Sequence, residues 1–162
     1  MQINDPAAIP RQFHGDRGFR TMNKQFQALP IDDRHANSAY PLVFMHDASI
    51  TTGQWLQFVR RHSRGSSRLI AIRDRRGVVH ALFSYRIDSD LRVRKRLSIG
   101  DLIVAHLAGS QIDDAVANVV ADVAQQFGCQ IVTIERPFVT RRARDAGCPT
   151  ADALRRGSWR IN

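Results

Sequence analysis

The sequence predicts an α/β domain with a mixed, mostly antiparallel central sheet flanked by helices and one parallel strand–helix–strand crossover. Three observations predict it. β-rich runs separated by short polar turns fill residues 68–104, as in an antiparallel meander. An amphipathic helical pattern follows at residues 112–127. A second β-rich run, residues 129–135, comes directly after it, and a strand–helix–strand unit of this length joins parallel strands by a right-handed crossover.

Composition indicates one globular domain. The chain has 162 residues, of which 43% are hydrophobic, and no apolar run approaches the ~20 residues of a membrane-spanning helix. The N-terminus lacks the apolar segment of a secretory signal. Two cysteines, Cys129 and Cys148, have no metal-ligand spacing, which favours reduced thiols and a cytoplasmic protein.

The N-terminal part has no sustained period. Scattered proline and glycine over residues 1–37 predict an irregular or mobile arm, with a short helix around Thr21 to Leu29 or a segment that packs on a partner subunit. A single domain is then expected over residues 38–162. Pro41 opens LVFMHD, an apolar run that predicts a strand. Residues 51–65 predict a helix capped at Ser49, Thr51 or Thr52 and ended by Gly65.

Turn chemistry divides the rest of the chain. Residues 74–77, Asp-Arg-Arg-Gly, predict a hairpin turn. After the strand LSIGDLIVAH, Ser110 is predicted to cap the next helix with Asp113 at its third position, and Gly128 to end it. Pro137 begins a tail in which FVTRRARDAG predicts a helix and SWRIN an edge strand.

Charge is unevenly distributed. The net charge is +9, and residues 60–96 hold twelve basic against three acidic residues, whereas residues 97–135 hold five acids and no lysine or arginine. The basic segment suggests a nucleic-acid-binding face as one hypothesis. Against it, the excess of arginine over lysine is typical of a GC-rich coding sequence, and no aromatic-interleaved recognition motif occurs.

The order of elements, together with LSIGDLIVAHLAGSQIDDAVANVVADVAQQFGCQIVTIE, resembles the GNAT superfamily of N-acetyltransferases over roughly residues 40–162. In that family the turn after the fourth strand reads Gln/Arg-x-x-Gly-x-Gly/Ala. The matching stretch here begins at His106 and ends at Gln111. Gly109 matches the pattern, whereas His106 replaces its first residue and Gln111 stands where a small residue is expected.

The resemblance implies acetyl-CoA, or another acyl-CoA, as the cofactor. Arg141 is the candidate partner of its 3′-phosphate. Backbone N–H groups at a helix N-terminus suit its pyrophosphate, but Asp113 and Asp114 would repel it there, so a purely structural turn stays an alternative. The expected cofactor-binding positions on the strand and turn are Val104, Ala105, His106, Gly109, Ser110 and Gln111.

Acyl transfer to an amine also needs a group that accepts the ammonium proton. Glu135, the sole glutamate, ends the strand beside the expected acyl position, and Tyr85 lies on a meander strand, so we predict both as catalytic. An ion pair with Arg136 is the structural alternative for Glu135, and core packing is the alternative for Tyr85. Ala143 occupies the position where many family members have a general-acid tyrosine.

We therefore expect an N-acyltransferase that moves an acetyl group from acetyl-CoA to an unknown amine, on a small molecule or a protein, by direct attack in a ternary complex. The alternative is an inactive GNAT-like interaction or regulatory module. No metal is expected, since Walker and zinc-ligand motifs do not occur. A homodimer is the default assembly, and we expect neither a membrane nor a nucleic acid as a partner.

Overall fold

Five strands form one sheet in this computed structural model, which describes residues 25–89, 94–106 and 109–135. The strands lie side by side in chain order, with antiparallel neighbours from the first to the fourth and a parallel fifth. The predicted fold class is confirmed. The elements are β1 (Phe26–Pro30), α1 (Ala36–His46), α2 (Thr52–Arg64), β2 (Arg68–Asp74), β3 (Val79–Ser89), β4 (Lys95–Val104), α3 (Ile112–Gln126) and β5 (Ile131–Ile134).

Two hydrophobic clusters hold helices to opposite faces of the sheet. On one face α3 buries the apolar stripe that the sequence predicts, against strand residues that include Ile70, Phe83 and Ile99. On the other face Trp55 and Val59 of α2 pack with α1 against Leu69, Leu82 and Ile103. Each fully buried side chain of this size stabilises the fold by about 1.5–3 kcal/mol.

The helix predicted over residues 51–65 is confirmed as α2, and its cap is Thr51. The Thr51 hydroxyl accepts a hydrogen bond from the Gln54 amide at 3.3 Å, and the Gln54 side-chain oxygen accepts one from the Thr51 amide at 2.8 Å. This capping box satisfies two amides that the helix leaves without partners. The Trp55 indole donates to the Ala36 carbonyl at 2.7 Å and so ties α2 to α1.

The strand predicted after Pro41 is wrong, because LVFMH belongs to α1. Ala36, Ala39 and Val43 are buried at helical spacing, which brings one face of the segment against the sheet. Pro41 lies inside the helix with an exposed side chain. It removes one backbone donor, and the packing of this face offsets that cost.

The helix predicted around Thr21 to Leu29 is also wrong where the structure describes it. Residues 26–30 form β1, which pairs with β2 from Phe26↔Asp74 to Pro30↔Ile70. The described end of the predicted arm is thus part of the sheet, and α1 begins at Ala36. Residues 1–24 lie outside the described part.

The start of α3 differs from the prediction by one residue. Gln111, and not Ser110, is the N-cap, and its side chain makes no capping hydrogen bond. Gly128 ends the helix with a φ of 64°, as predicted. The helix and the edge strand predicted after Pro137 lie outside the described residues.

Candidate active site

A β-bulge interrupts β4 at Asp101. β3 and β4 pair in register up to Ser84↔Gly100, and the register then shifts so that Leu82 faces Ile103. One residue of β3 therefore stands opposite two of β4. Asp101 has a φ of 48°, in a left-handed region that costs a non-glycine residue roughly 1–2 kcal/mol.

The pairing of β4 with β5 ends next to this bulge. Their pairing ends at Ile99↔Ile134, followed by a hydrogen bond from the Glu135 amide to the Ile99 carbonyl at 2.7 Å. Among the described residues, no strand pairs with β4 on this side beyond Ile99. The Ala105 amide donates to the His80 carbonyl of β3 at 2.8 Å, so the Val104 amide faces the β5 side. The edge of β4 beyond Ile99, called the cleft edge below, thus has main-chain groups without a strand partner among the described residues.

The glycine turn follows directly from this edge of β4. Gly109 has a φ of 73°, and a Cβ placed there would meet nothing within 4 Å. Glycine is therefore needed for the backbone angle and not for space. The turn leads into α3, whose first amides have no carbonyl partners within the helix and carry a partial positive charge. Such a terminus can hold an anion.

An open cavity of about 330 Å³ lies beside the turn. The turn forms one wall, and the β2–β3 hairpin with the start of β1 forms the other. The cavity thus combines the α3 terminus with two arginines that the sequence separates from it. Its lining residues are Gln25, Phe26, Asp74, Arg75, Arg76, His80, Gly109, Ser110 and Gln111.

Asp74 holds the hairpin turn in shape. One carboxylate oxygen accepts hydrogen bonds from the amides of Arg76 at 2.8 Å and Val78 at 3.0 Å, and the other lies 3.0 Å from the His80 ring. The hydrogen bond from His80 is the largest cause that lowers the pKa of Asp74, and the two amides add to it. The carboxylate thereby fixes the backbone that carries Arg75 and Arg76.

A second polar cluster surrounds the bulge on the sheet face that carries α1 and α2. The Ser84 hydroxyl donates to Asp101 Oδ2 at 2.7 Å, and His62 Nε2 of α2 lies 3.5 Å from the same oxygen. Burial alone would raise the pKa of Asp101, but the contacts with His62 and Ser84 outweigh it, and the pKa is lowered. A carboxylate is thus held ionised beside the cleft edge.

Glu135 lies at the rim of this cluster. Its carboxylate accepts a hydrogen bond from Arg86 Nη2 at 2.9 Å, and a Cβ on Gly100 would lie 3.7 Å from it. The side chain is 48% exposed. The structure thus brings Glu135 to the bulge and pairs it with Arg86, while Arg136 lies outside the described residues.

Tyr85 lies elsewhere. Its side chain points to the α3 face, opposite to Ser84, and only 5% of the residue is exposed. Burial raises the pKa of the phenol to about 12. Its ring packs 6.3 Å from that of Phe127. This placement is the one expected for core packing, and the residue also borders a cavity of about 230 Å³, so its catalytic role stays a prediction.

The predicted cofactor-binding residues divide into three groups. Gly109, Ser110 and Gln111 line the cavity. Val104 and Ala105 lie at the end of β4, and the exposed His106 ring lies 3.8 Å from the Asp113 carboxylate. Arg141 lies outside the described residues.

Sequence reasoning missed His62, Ser84 and Asp101. A glycine–aspartate pair inside the apolar strand LSIGDLIVAH was the available signal, since glycine in a strand interior often marks a bulge. Nothing in the local sequence of α2 singles out His62, because its contact with Asp101 depends on how α2 packs on the sheet.

The described ranges contain no group of three or more histidine, cysteine, aspartate or glutamate side chains that could hold a metal ion. No helix in them is both long and apolar enough to cross a membrane.

The sequence matches no protein-family model and no curated protein. Solved structures resemble it clearly. A ribosomal-protein-alanine N-acetyltransferase from Brucella melitensis biovar Abortus 2308 superimposes with a TM-score of 0.57 at 16% identity, over 74% of this chain and 85% of that one. Glucosamine-6-phosphate N-acetyltransferase from Arabidopsis thaliana gives 0.54 at 14% identity, over 85% and 95% of the two chains.

An aminoglycoside N-acetyltransferase in complex with CoA also matches, with a TM-score of 0.52 at 10% identity over 73% of this chain and 79% of that one. These neighbours are acetyltransferases, and identities this low establish the fold and no more. The strand order, the bulge in β4 and these superpositions agree, and together they show that the chain has the GNAT acetyltransferase fold.

Proposed function

We propose that the chain is an acyl-CoA-dependent N-acyltransferase that transfers an acetyl group from acetyl-CoA to an amine. The observation that carries the proposal is the end of the β4–β5 pairing beside the Asp101 bulge, on the strand that precedes the Gly109 turn and α3. We also propose a cytoplasmic location, which the reduced thiols expected from the sequence support.

The described residues fit such a cofactor. The main chain at Val104, which faces the β5 side, can pair with a pantetheine amide, and the turn at Gly109 to Gln111 can receive the pyrophosphate together with Arg75 and Arg76 across the cavity. Acyl-CoA, when bound, would supply an acyl group activated as a thioester. The chain's own task is then to orient an amine and to accept its proton.

An amine is the proposed acceptor because the three neighbours named above are all N-acetyltransferases. Their acceptors differ by name: an alanine of a ribosomal protein, an amino-sugar phosphate and an aminoglycoside. The acceptor of this chain is proposed only at the level of an amine.

Isothermal titration of the purified protein with acetyl-CoA tests the proposal. Arg76→Ala should weaken binding by about tenfold or more, because one charge-assisted contact to phosphate is worth about 1.5–3 kcal/mol. Arg64→Ala is the matched control, since it removes one exposed arginine at the end of α2, remote from the hairpin. Absence of heat with the wild type at millimolar acetyl-CoA would contradict the proposal.

A non-catalytic module with the same fold is the second candidate. Asp113 and Asp114 in the first turn of α3 favour it, because two carboxylates there oppose an anion. The same titration separates the two candidates, since a module of this kind would give no heat with acetyl-CoA.

A further inference from the structure

We propose that His62 accepts the proton of the acceptor ammonium and that Asp101 is its positioning residue. The inference rests on the proposed acyltransferase function and adds the group that makes the amine nucleophilic. It is carried by the geometry of His62, Asp101 and Ser84, none of which the resemblance to the GNAT superfamily had marked.

The hydrogen bonds of His62 define which ring nitrogen is basic. Nδ1 lies 3.0 Å from the Phe58 carbonyl, which can only accept, so Nδ1 carries a hydrogen. In the neutral ring the lone pair is therefore on Nε2. Nε2 faces Asp101 Oδ2 at 3.5 Å, where two acceptors lie opposite each other until a proton arrives. The arrangement is thus built to take up one proton at Nε2.

Asp101 is itself held in place. The Ser84 hydroxyl donates to the same Oδ2 at 2.7 Å, and Ser84 is 6% exposed. The backbone of Asp101 has the left-handed φ of the bulge, which turns its side chain away from a regular strand position. Strain that persists in a folded protein is often tied to function.

The His62–Asp101 dyad lies at the level where the pairing of β4 with β5 ends. Asp101 follows Gly100, and Ile99 is the last β4 residue that pairs with β5. The side chain of His62 is 13% exposed and that of Asp101 is 34% exposed, so both are partly accessible to solvent.

The groups around His62 have opposing effects on the pKa of its ring. Burial alone would lower the pKa of His62, but Asp101 of β4 and the Phe58 carbonyl outweigh it, and the pKa is raised. Arg61 of α2 opposes the rise, and Arg68 of β2 donates to the His62 carbonyl at 3.5 Å. From β3 the uncharged Ser84 faces Asp101, and Glu135 is paired with Arg86.

The step is a single proton transfer. One N–H bond of the ammonium breaks, its electron pair stays on the amine nitrogen, and a new bond forms between that proton and Nε2. Asp101 stabilises the imidazolium that results, and the proton then passes from the ring to solvent. The neutral amine then has the lone pair with which it can attack an acyl carbonyl carbon.

NMR of histidine-labelled protein tests the dyad without turnover. His62 should show a proton on Nδ1 in its neutral form and a pKa above the ordinary value of about 6.5. Asp101→Asn should lower that pKa. Ser84→Ala should raise it further, because Asp101 then has His62 as its only side-chain partner in the cluster. A proton on Nε2 in the neutral form, or a pKa unmoved by both variants, would overturn the inference.

Rates of acetyl transfer, measured as a function of pH with two acceptors, complete the test. Tyramine is an ammonium ion at neutral pH, whereas hydroxylamine is uncharged there. His62→Gln should slow tyramine acetylation by about 100-fold or more and hydroxylamine acetylation far less. His46→Gln, in an exposed position on α1, is the control. Equal losses with both acceptors, or no turnover by protein that binds acetyl-CoA, would refute the role of His62. If the wild-type protein does not bind acetyl-CoA, the proposed function is refuted instead.

Discussion

At the scale of single residues, backbone angles distinguish the turns of this fold. Gly77, Gly109 and Gly128 all have positive φ, and a Cβ at each would meet no atom within 4 Å. Their requirement for glycine is therefore conformational in each case. Only Gly109 among them stands at the start of the helix that follows the cleft edge.

Gly109→Ala should lower the free energy of unfolding by about 1–2 kcal/mol, because alanine is strained at positive φ. It should also weaken acetyl-CoA binding, since the turn would relax away from its present shape. Gly128→Ala is the matched control, with a φ of 64° at the opposite end of α3. Urea denaturation and calorimetric titration check both effects. An equal loss of affinity in the two variants would show that the Gly109 turn has no special part in binding.

Asp74 makes stability depend on pH in a defined direction. The pKa of its carboxyl is lowered in the folded state, so its contribution to stability is present above the unfolded pKa, near 3.9, and is lost as pH falls through the folded value. Asp74→Asn should therefore be less stable than the wild type at about pH 6, and the gap should close at about pH 2. Urea denaturation at several pH values measures it. A gap that stays constant with pH would contradict the role given to this carboxylate.

Sequence reasoning reached the residues of the turn but not those of the bulge. Gly109 could be predicted because a strand-to-helix turn leaves a local pattern. The contact between His62 and Asp101 could not, since one residue is on α2 and the other on β4, 39 positions apart by number. Tyr85 was predicted as a catalytic residue but packs in the core under α3, because the alternation along β3 did not reveal which face of the sheet α3 would cover.

At the scale of elements, α3 combines a structural and a functional demand. Its buried stripe from Ile112 to Ala124 attaches it to the sheet, and the regular spacing of those residues made the helix predictable. Its first turn carries Asp113 and Asp114, which stabilise the positive end of the helix dipole and at the same time oppose an anionic ligand.

Asp114→Asn should therefore have opposite effects on stability and on binding. The free energy of unfolding should fall by about 0.3–1 kcal/mol, and acetyl-CoA should bind a few fold more tightly because one like charge is removed. Asp122→Asn, in the same helix but away from its first turn, should leave the affinity unchanged. Thermal denaturation and calorimetric titration test this. Weaker acetyl-CoA binding by Asp114→Asn would contradict an anion site at the terminus.

α1 marks the limit of pattern reading at this scale. LVFMHD is short, apolar and preceded by proline, which predicts a strand as readily as a helix. Its helical state depends on Ala36 and Ala39, whose small side chains pack under α2 and the sheet. β1 was missed for a similar reason, since its pairing with β2 joins residues 40 to 48 positions apart. Long-range packing, absent from any local window, determined both elements.

At the scale of the whole molecule, the fold brings the two unlike charge blocks of the sequence together. The basic hairpin at Arg75 and Arg76 and the turn from Gly109 to Gln111, which precedes the acidic start of α3, line one cavity. Linear order had separated them into a basic segment and an acidic segment. The acyl-CoA proposal depends on this arrangement, because the hairpin supplies the cations that the glycine turn itself does not contain.

The fold class was predictable from order and periodicity, since a meander followed by a crossover helix admits few arrangements. The activity was less predictable than the fold class, because the same fold hosts different chemistries and function depends on the site. Here the site depends on a bulge, on where the β4–β5 pairing ends and on a hairpin, all of which arise from tertiary packing.

A crystal structure of the protein with bound acetyl-CoA tests the central claim most directly. The cofactor should lie along the edge of β4 that faces β5, with its pantetheine at Val104 and its pyrophosphate between the Gly109 turn and Arg76. Acetyl-CoA bound elsewhere on the protein, or a side chain filling the space between β4 and β5 while the cofactor stays in solution, would contradict the assignment of this cleft edge as an acyltransferase site.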